Sequence, residues 1–135
     1  MIVLDAGPLI ALFDGSDRYH SAAVDFIRGT RQPLITHSVV LAEACWVLSF
    51  SVDAQIDCLR WAGQALTIDA GTAQDLPRIC AIMDKYRDLP ADFADAALVA
   101  LCDRLNCYDV ASVDHEFTIY RGASKRAFRN RFAKD

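Results

Sequence analysis

The 135-residue sequence contains almost no glutamate. Of its 18 acidic residues, 16 are aspartate, and Glu43 and Glu116 are the two glutamates. Glutamate is a good helix former and a common solubilising residue on helices, whereas aspartate favours caps and turns. The positions of the two glutamates therefore need an explanation beyond solubility.

Long apolar runs, repeats and low-complexity tracts are also missing. No uncharged run approaches the ~18 residues of a membrane helix, and the start MIVLD, with an acid at position 5, does not resemble a cationic leader. Only six glycines are present, and 53% of the residues are hydrophobic. These features exclude membrane, secreted and disordered classes and predict one compact domain without membrane association.

The cysteines show no metal-binding or disulfide pattern. Their number is odd, they are scattered, and none forms a CxxC pair: Cys45, Cys58, Cys80, Cys102 and Cys107. We expect reduced core residues of a cytoplasmic protein, and neither disulfides nor a zinc site.

The net charge of -4 is unevenly distributed. Residues 121–135 carry six basic residues and one acid, whereas the first 120 residues carry eight basic residues and 17 acids. Such a basic segment is either a solvated chain end or a phosphate-binding strip. The candidate nucleic-acid-binding residues are Arg121, Lys125, Arg126, Arg129 and Arg131.

Apolar periodicity predicts strands alternating with helices. This alternation indicates a single-domain α/β fold around a mainly parallel sheet, with ligand sites at the carboxyl ends of strands. Pro77 lies near the start of one helical pattern, so that helix is expected to begin later than Thr72. The predicted strands are 1–5, 33–36, 66–68 and 108–113, and the predicted helices are 9–13, 17–28, 38–48, 53–65, 72–87 and 92–105.

Two acids lie within helices that are otherwise apolar. Glu43 is the one charge between Ser38 and Leu48, and Asp95 lies in a helix that is apolar on nearly every face. Neither has a basic residue three or four positions away. A buried carboxylate without compensation costs several kcal/mol, so each needs a distant arginine or a cation.

The other acids have ordinary structural roles as alternatives. Asp5 follows the first strand and can cap the next helix, and Asp92 suits a first helical turn. Asp114 and Glu116 can be turn or cap residues. In an α/β fold, however, strand-end acids and buried helix acids can also converge on one pocket.

Convergence of these acids would create a cation site. Two carboxylates about 4 Å apart repel by roughly 4 kcal/mol at an effective dielectric of 20, so three or four need a counter-charge. Hard oxygen ligands suit Mg²⁺ or Mn²⁺ and not zinc. Such ions activate water and stabilise charge on phosphate oxygens, which is the chemistry of phosphodiester hydrolysis.

Four segments together resemble the acidic motifs of PIN-domain proteins. They are VLDAGPLIALF, LAEACWVL, ADFADAALVAL and ASVDHEF. Their order and spacing are similar to those of the single-domain PIN ribonucleases that act as toxins of bacterial VapBC toxin–antitoxin systems. The resemblance implies an α/β/α sandwich over residues 1–135, Mg²⁺ or Mn²⁺ as cofactor, and an RNA substrate.

The resemblance also assigns roles to individual residues. Asp5, Glu43, Asp95 and Asp114 fall on the catalytic, metal-binding acids of the family. Asp92, Glu116 and Ser112 fall on supporting positions, with Glu116 where the family often has aspartate. Gly7 replaces a small hydroxyl residue, so a hydrogen bond near the first acid is expected to be absent.

The resemblance further implies an antitoxin partner and a homodimer. Trp46, Phe50 and Trp61 are candidates for the antitoxin contact, although core packing is the preferred expectation for each. His20, His37 and His115 are expected to be surface or capping residues, with no histidine needed as a base.

Three rival functions remain for comparison. A receiver domain needs adjacent acids after the first strand and a late lysine, and a haloacid-dehalogenase-type phosphatase needs a second aspartate where Gly7 stands. The stronger alternative is a PIN-like module that binds RNA or protein without cutting. Metal uptake by the acids would separate that module from a nuclease.

Overall fold

The computed structural model describes residues 1–132, and its centre is a five-stranded sheet. Every neighbouring pair of strands is parallel, in the order β3-β2-β1-β4-β5. The predicted α/β architecture is therefore confirmed. The strands are β1 (Ile2–Leu4), β2 (Leu34–His37), β3 (Thr67–Asp69), β4 (Asp109–Ala111) and β5 (Arg129–Asn130).

Six α-helices connect the strands within the described residues and flank the sheet. The most deeply buried is α6, in which every residue from 94 to 102 is buried, as its nearly continuous apolar sequence predicts. The helices are α1 (Ala6–Phe13), α2 (His20–Gly29), α3 (Ser38–Val47), α4 (Val52–Ala65), α5 (Thr72–Lys85) and α6 (Phe93–Leu105). None of those helices has the length and hydropathy needed to cross a membrane.

Three helix starts differ from the sequence-based expectations. The first helix begins at Ala6 and not at residue 9, because Asp5 caps it there. The second helix begins at His20, because Asp17 accepts the backbone N–H of Tyr19 in a local turn before it. The helix α5 does begin at Thr72, with Pro77 as its sixth residue, so the expected later start is wrong. Pro77 costs this helix one backbone hydrogen bond without ending it.

The fifth strand was not predicted. Strand β5 has two exposed residues, and its sequence shows no apolar run. It pairs with β4 through backbone bonds, including Arg129 N–H to the Tyr108 carbonyl and Arg131 N–H to the Val110 carbonyl. Residues 129–131 of the basic segment 121–135 are thus part of the sheet edge.

The strand order places a topological switch point between β1 and β4. From β1 the chain passes through α1 and α2 to β2 on one side, whereas β4 lies on the other side. Ligand sites in parallel sheets lie at the carboxyl ends of strands at such a point. Asp5 directly follows β1, and residues 112–114 directly follow β4.

One arginine ties the last turn of α6 to β3 and α5. Arg104 donates hydrogen bonds to the carboxylate of Asp69 and to the carboxylate of Asp75. Asp75 is buried despite its charge, since this pairing compensates its desolvation. Gly71 makes room for the guanidinium, because a Cβ there would lie 2.4 Å from Arg104 Nη2.

We expect Arg104→Ala to lower the free energy of unfolding by about 2–3 kcal/mol, because it leaves two largely buried carboxylates without their partner. Urea denaturation measures the change. The matched control is Arg87→Ala, whose pair with Asp84 is largely exposed on both sides and is worth less than about 0.5 kcal/mol. Equal losses in the two variants would contradict a structural role for the Arg104 cluster.

Candidate metal centre

Six acids line a single pocket at the switch point. The pocket has a volume of about 260 Å³. Its apolar wall is formed by Ile10, Pro90 and Val113. Residues from α1, α3, α6 and the segment after β4 meet here. The acids are Asp5, Glu43, Asp92, Asp95, Asp114 and Glu116.

Asp5 is held in place by two hydrogen bonds. Its Oδ1 accepts the backbone N–H of Ala6 at 2.8 Å, which makes it the N-cap of α1. Its Oδ2 accepts the hydroxyl of Ser112 at 2.7 Å. Burial raises the pKa of Asp5 to about 6, although both hydrogen bonds oppose the rise.

Ser112 connects Asp5 to the acids that follow β4. The Ser112 hydroxyl, which is fully buried, donates to Asp5 and accepts the backbone N–H of Asp114 at 2.9 Å. Asp114 Oδ1 in turn accepts the backbone N–H of Glu116 at 2.8 Å. This chain of bonds fixes the turn after β4 relative to the end of β1.

The first turn of α6 supplies two of the acids. Asp92 is its N-cap, with Oδ1 accepting the backbone N–H of Asp95 at 2.8 Å. Asp95 is 8% exposed. Burial, followed by the charges of Asp5, Asp92 and Asp114, raises the pKa of Asp95 to about 8.

Glu43 reaches the pocket from α3. Within residues 1–132 its buried Oε2 has no hydrogen-bond partner. Burial, followed by the charge of Asp5, raises its pKa to about 7. No arginine or lysine of the described residues forms an ion pair with it, so a distant basic partner does not explain this acid.

The tightest group of potential ligands in the described residues is Asp95, Asp114 and Glu116. One oxygen from each lies within 4.8 Å of the others. Burial and the neighbouring Asp114 raise the pKa of Glu116. The structure thus brings Glu116 into the closest cluster, whereas Asp5 and Glu43 line the same pocket outside it.

These residues fit a hard divalent cation. All ligand atoms are carboxylate oxygens, the preferred donors for Mg²⁺ and Mn²⁺. Glu43 Oε2 is a buried acceptor left without a donor, and burial raises the pKa values of Asp5, Glu43 and Asp95. Both observations are explained by a pocket whose described lining contains no basic side chain.

Comparison with known proteins agrees with this geometry. A family model described as PIN domain matches residues 2–122. The chain belongs to the PIN-domain family. It is 29% identical over 116 residues to Ribonuclease VapC26 of Mycobacterium tuberculosis, a match that covers 84% of this chain and 86% of that protein.

A solved structure shares the fold of this PIN domain. The crystal structure of Mycobacterium tuberculosis VapC20, described as a sarcin-ricin loop cleaving toxin, matches with a TM-score of 0.80. The match covers 88% of this chain and 94% of that chain at 18% sequence identity. The α/β/α fold expected from the motif resemblance is therefore confirmed.

Gly7 is required by close packing beside the first acid. A Cβ at this position would lie 2.3 Å from Val113 Cγ2. The β-branched side chain of Val113 has little rotamer freedom to move away. The space that a small hydroxyl residue would use in this PIN domain is thus filled by Val113, and the hydrogen bonds to Asp5 come from Ala6 and Ser112 instead.

Sequence reasoning missed Tyr120. It is fully buried, and its hydroxyl donates to Asp95 Oδ2 at 3.0 Å and lies 3.4 Å from Glu116 Oε2. Its ring packs edge-on against Tyr86 and Phe117. The aromatic residue was visible in the sequence, but nothing there showed that its hydroxyl points to the acids.

The basic residues of segment 121–135 do not surround the acids. Arg121 donates to the carbonyls of residues 118–120, and Arg126 bonds to Asn106 just beyond the end of α6. Arg129 pairs with Asp109 at the start of β4. Lys125 is exposed in a turn after Gly122, and Arg131 lines a separate pocket beside α2. Lys134 lies outside the described residues.

The expectations for His37 and for the exposed aromatic residues have different outcomes. His37 has the second of its two expected roles: it is 1% exposed, and its Nδ1 caps α3 by accepting the Val40 N–H. Trp46 and Phe50 are 79% and 66% exposed, so core packing is wrong for both. Trp61 does pack against the core, with its ring 5.9 Å from that of Phe13.

The raised pKa values predict a coupling between pH, stability and metal binding. A carboxyl with a higher pKa in the folded chain stabilises the fold below pH ~4 and loses that stabilisation as pH rises through its folded pKa. That loss continues up to about pH 6 for Asp5, about pH 7 for Glu43 and about pH 8 for Asp95.

We expect the Tm of EDTA-treated protein to fall from pH 5 to pH 8. We also expect Mn²⁺ to raise Tm more at pH 8 than at pH 5, because the ligand carboxyls are then ionised.

Asp95→Asn is the control for this coupling, because it removes the most strongly shifted carboxyl. The pH dependence of Tm should flatten and the Mn²⁺ effect should shrink in this variant. A Mn²⁺-induced rise in Tm of equal size at both pH values in the natural protein would contradict the assignment of the buried acids as ligands.

We expect Tyr120→Phe to weaken Mn²⁺ binding roughly tenfold, because it leaves the Asp95 carboxylate without the donor that orients it. Isothermal titration calorimetry measures the affinity, and a thermal melt checks the fold. Tyr108→Phe is a matched control, since its hydroxyl donates to Asp103 Oδ1 at 2.7 Å, toward the far end of α6. If both variants bind Mn²⁺ equally well, Tyr120 does not position Asp95.

Proposed function

We propose that this PIN domain is a Mg²⁺- or Mn²⁺-dependent endoribonuclease that acts as the toxin of a toxin–antitoxin pair. The observation that carries the proposal is the group formed by Asp95, Asp114 and Glu116, whose oxygens lie within 4.8 Å in an acid-lined pocket. The similarity to Ribonuclease VapC26, a protein named for RNA cleavage, supports RNA as the substrate.

Asp95, Asp114 and Glu116 would hold the cation, and Asp5 and Glu43 line the same pocket. A divalent ion bound there would supply charge neutralisation at the phosphate oxygens and activation of a water, which would displace a ribose oxygen from the phosphorus as the leaving group. Ser112 and Tyr120 each donate to one carboxylate and so keep Asp5 and Asp95 aimed into the pocket.

The chain supplies orientation and charge for this reaction without a histidine. His20 contacts the Ala11 carbonyl, and His37 is buried as a helix cap. His115 is exposed next to Asp114, where it is positioned to touch RNA. Ile10, Pro90 and Val113 form the apolar wall, which limits the water that competes for the carboxylates.

Substitution of the acids tests the proposed activity. We expect Asp95→Asn and Asp114→Asn each to reduce cleavage of a structured RNA at least roughly 100-fold, and EDTA to abolish it. Gel analysis of end-labelled RNA in Mg²⁺ measures the rate. Asp57→Asn is the control, because this exposed aspartate on α4 does not line the pocket.

The outcome separates the nuclease from a binding-only PIN module. A binding-only protein would show RNA affinity but no cleavage in Mg²⁺ or Mn²⁺, and no measurable Mn²⁺ uptake at the acids. Unchanged cleavage in Asp95→Asn would contradict the assignment of these acids to the nuclease site. Mapping RNA 5′ ends after controlled expression would identify the target RNA and the bond that is cut.

We also propose a protein partner at an exposed apolar surface. The side chains of α3, α4 and the turn between them form this surface, with Trp46, Phe50 and Val52 each more than 60% exposed. Contiguous exposed apolar area of this kind is typical of an interaction site. A cytoplasmic antitoxin and a second copy of the chain are the two proposed partners, and light scattering of the purified protein with and without its co-expressed partner measures both assemblies.

A further inference from the structure

Two adjoining pockets lie at the edge of the sheet where β1, β4 and β5 begin. One, of about 570 Å³, is lined by residues that include Asn106, Tyr108 and Asp109. The other, of about 350 Å³, is lined by Ile2 and by the end of α2 with the loop before β2. Neither pocket includes any of the acids at the switch point.

Arginines dominate the charge of these two pockets. Arg126 and Arg129 line the first, and Arg31 and Arg131 line the second, against one aspartate in each. All four arginines are exposed. In a chain of net charge -4, this arginine edge, defined as Arg31, Arg126, Arg129 and Arg131, is a local excess of positive charge.

Two of the four guanidinium groups are fixed in place while still facing solvent. Arg126 stacks over the Tyr108 ring at 4.3 Å and donates to Asn106 Oδ1 at 3.0 Å. Arg129 makes two bonds to the Asp109 carboxylate. Fixed guanidinium groups lose less entropy on binding an anion, which favours recognition of phosphate.

The other two arginines, Arg31 and Arg131, form no ion pair within residues 1–132. No acid of that range lies within 4 Å of Arg31 or Arg131. The two pockets adjoin, because Met1 lines the first and its amino group donates at 2.9 Å to Oε1 of Gln32, which lines the second. The chain also passes from one to the other, since Arg129 lines the first pocket and Arg131 lines the second.

The arginine edge and the acidic pocket lie at opposite ends of α6. Asp95 is in the first turn of this helix, and Asn106, which binds Arg126, is its C-cap. Eleven residues at 1.5 Å rise separate the two positions by about 16 Å. A ligand that contacts both sites must be extended on that scale.

We propose that the arginine edge binds the phosphodiester backbone of RNA at a place separate from the acidic pocket, so that one RNA spans both ends of the sheet. This inference rests on the proposed function, since it treats the bound RNA as the substrate. RNA is favoured over an acidic polypeptide because an acidic body repels RNA, so an RNA substrate needs a positive contact surface elsewhere.

Binding without cleavage tests the edge directly. The probe is a fluorescently labelled RNA hairpin of about 30 nucleotides, long enough to cover both sites, measured by anisotropy in EDTA. For the double variant Arg31→Gln/Arg131→Gln we expect the Kd for this hairpin to be roughly tenfold higher than for the natural protein. The slope of log affinity against log salt should fall by about 1.4, because each lost single-strand phosphate contact is worth about 0.7.

The matched control is Arg60→Gln/Arg87→Gln, which removes the same charge from exposed positions on α4 and after α5. Equal weakening in both double variants would show a general charge effect and overturn the proposal. An unchanged RNA Kd in Arg31→Gln/Arg131→Gln would also overturn it. Loss of poly-glutamate binding with unchanged RNA binding would assign the edge to an acidic polypeptide instead.

Kinetics then separate this inference from the nuclease proposal. The edge variant should raise KM for hairpin cleavage and leave kcat unchanged. Cleavage of a dinucleotide, whose single phosphodiester cannot occupy two sites about 16 Å apart, should not change. If no RNA is cleaved but the EDTA binding result holds, the nuclease proposal fails while RNA binding at the edge stands.

Discussion

Mutual repulsion of six carboxylates in a pocket of about 260 Å³ is the constraint on which the site depends. In the protein alone, burial and, after it, this repulsion raise the pKa values of Asp5, Glu43 and Asp95. The carboxylates stay together because the backbone carries them to one place, at the switch point of a parallel sheet. The folded chain therefore has an unfavourable electrostatic free energy at this pocket, which a bound divalent cation can offset.

Helix starts provide much of the positive charge that the chain itself supplies. Asp5 caps α1, Asp92 caps α6 and Asp114 caps the short 3-10 turn at residues 115–118. Each start directs unpaired N–H groups and the positive end of its dipole toward the pocket. Capping and metal binding, which the sequence presented as alternatives, are compatible here, because the capped N–H uses one acceptor site and an ionised carboxylate has about four. Even Asp5, whose second oxygen accepts the Ser112 hydroxyl, keeps acceptor sites for a cation.

The sequence alone predicts the helices and strands whose residue patterns are local. The apolar runs of β1 and β4 and the nearly charge-free α6 are visible directly, and so are the acids at their ends. Strand β5 was not visible, because two exposed polar residues form it through backbone pairing alone. Trp46, Phe50 and Tyr120 were misjudged or missed for a related reason: side-chain direction depends on tertiary packing, which composition does not encode.

The two glutamates of this sequence lie in the same place, the acid-lined pocket. Both glutamates line it, although they come from α3 and from the turn after β4. Asp5, Asp95 and Asp114 each accept a hydrogen bond from the protein, whereas Glu43 Oε2 has no partner within residues 1–132. An aspartate at position 43 would be shorter by one methylene and would withdraw that oxygen from the pocket. The extra length places an unsatisfied acceptor where only a ligand of the pocket can satisfy it, and this makes Glu43 the acid whose burial most requires a cation.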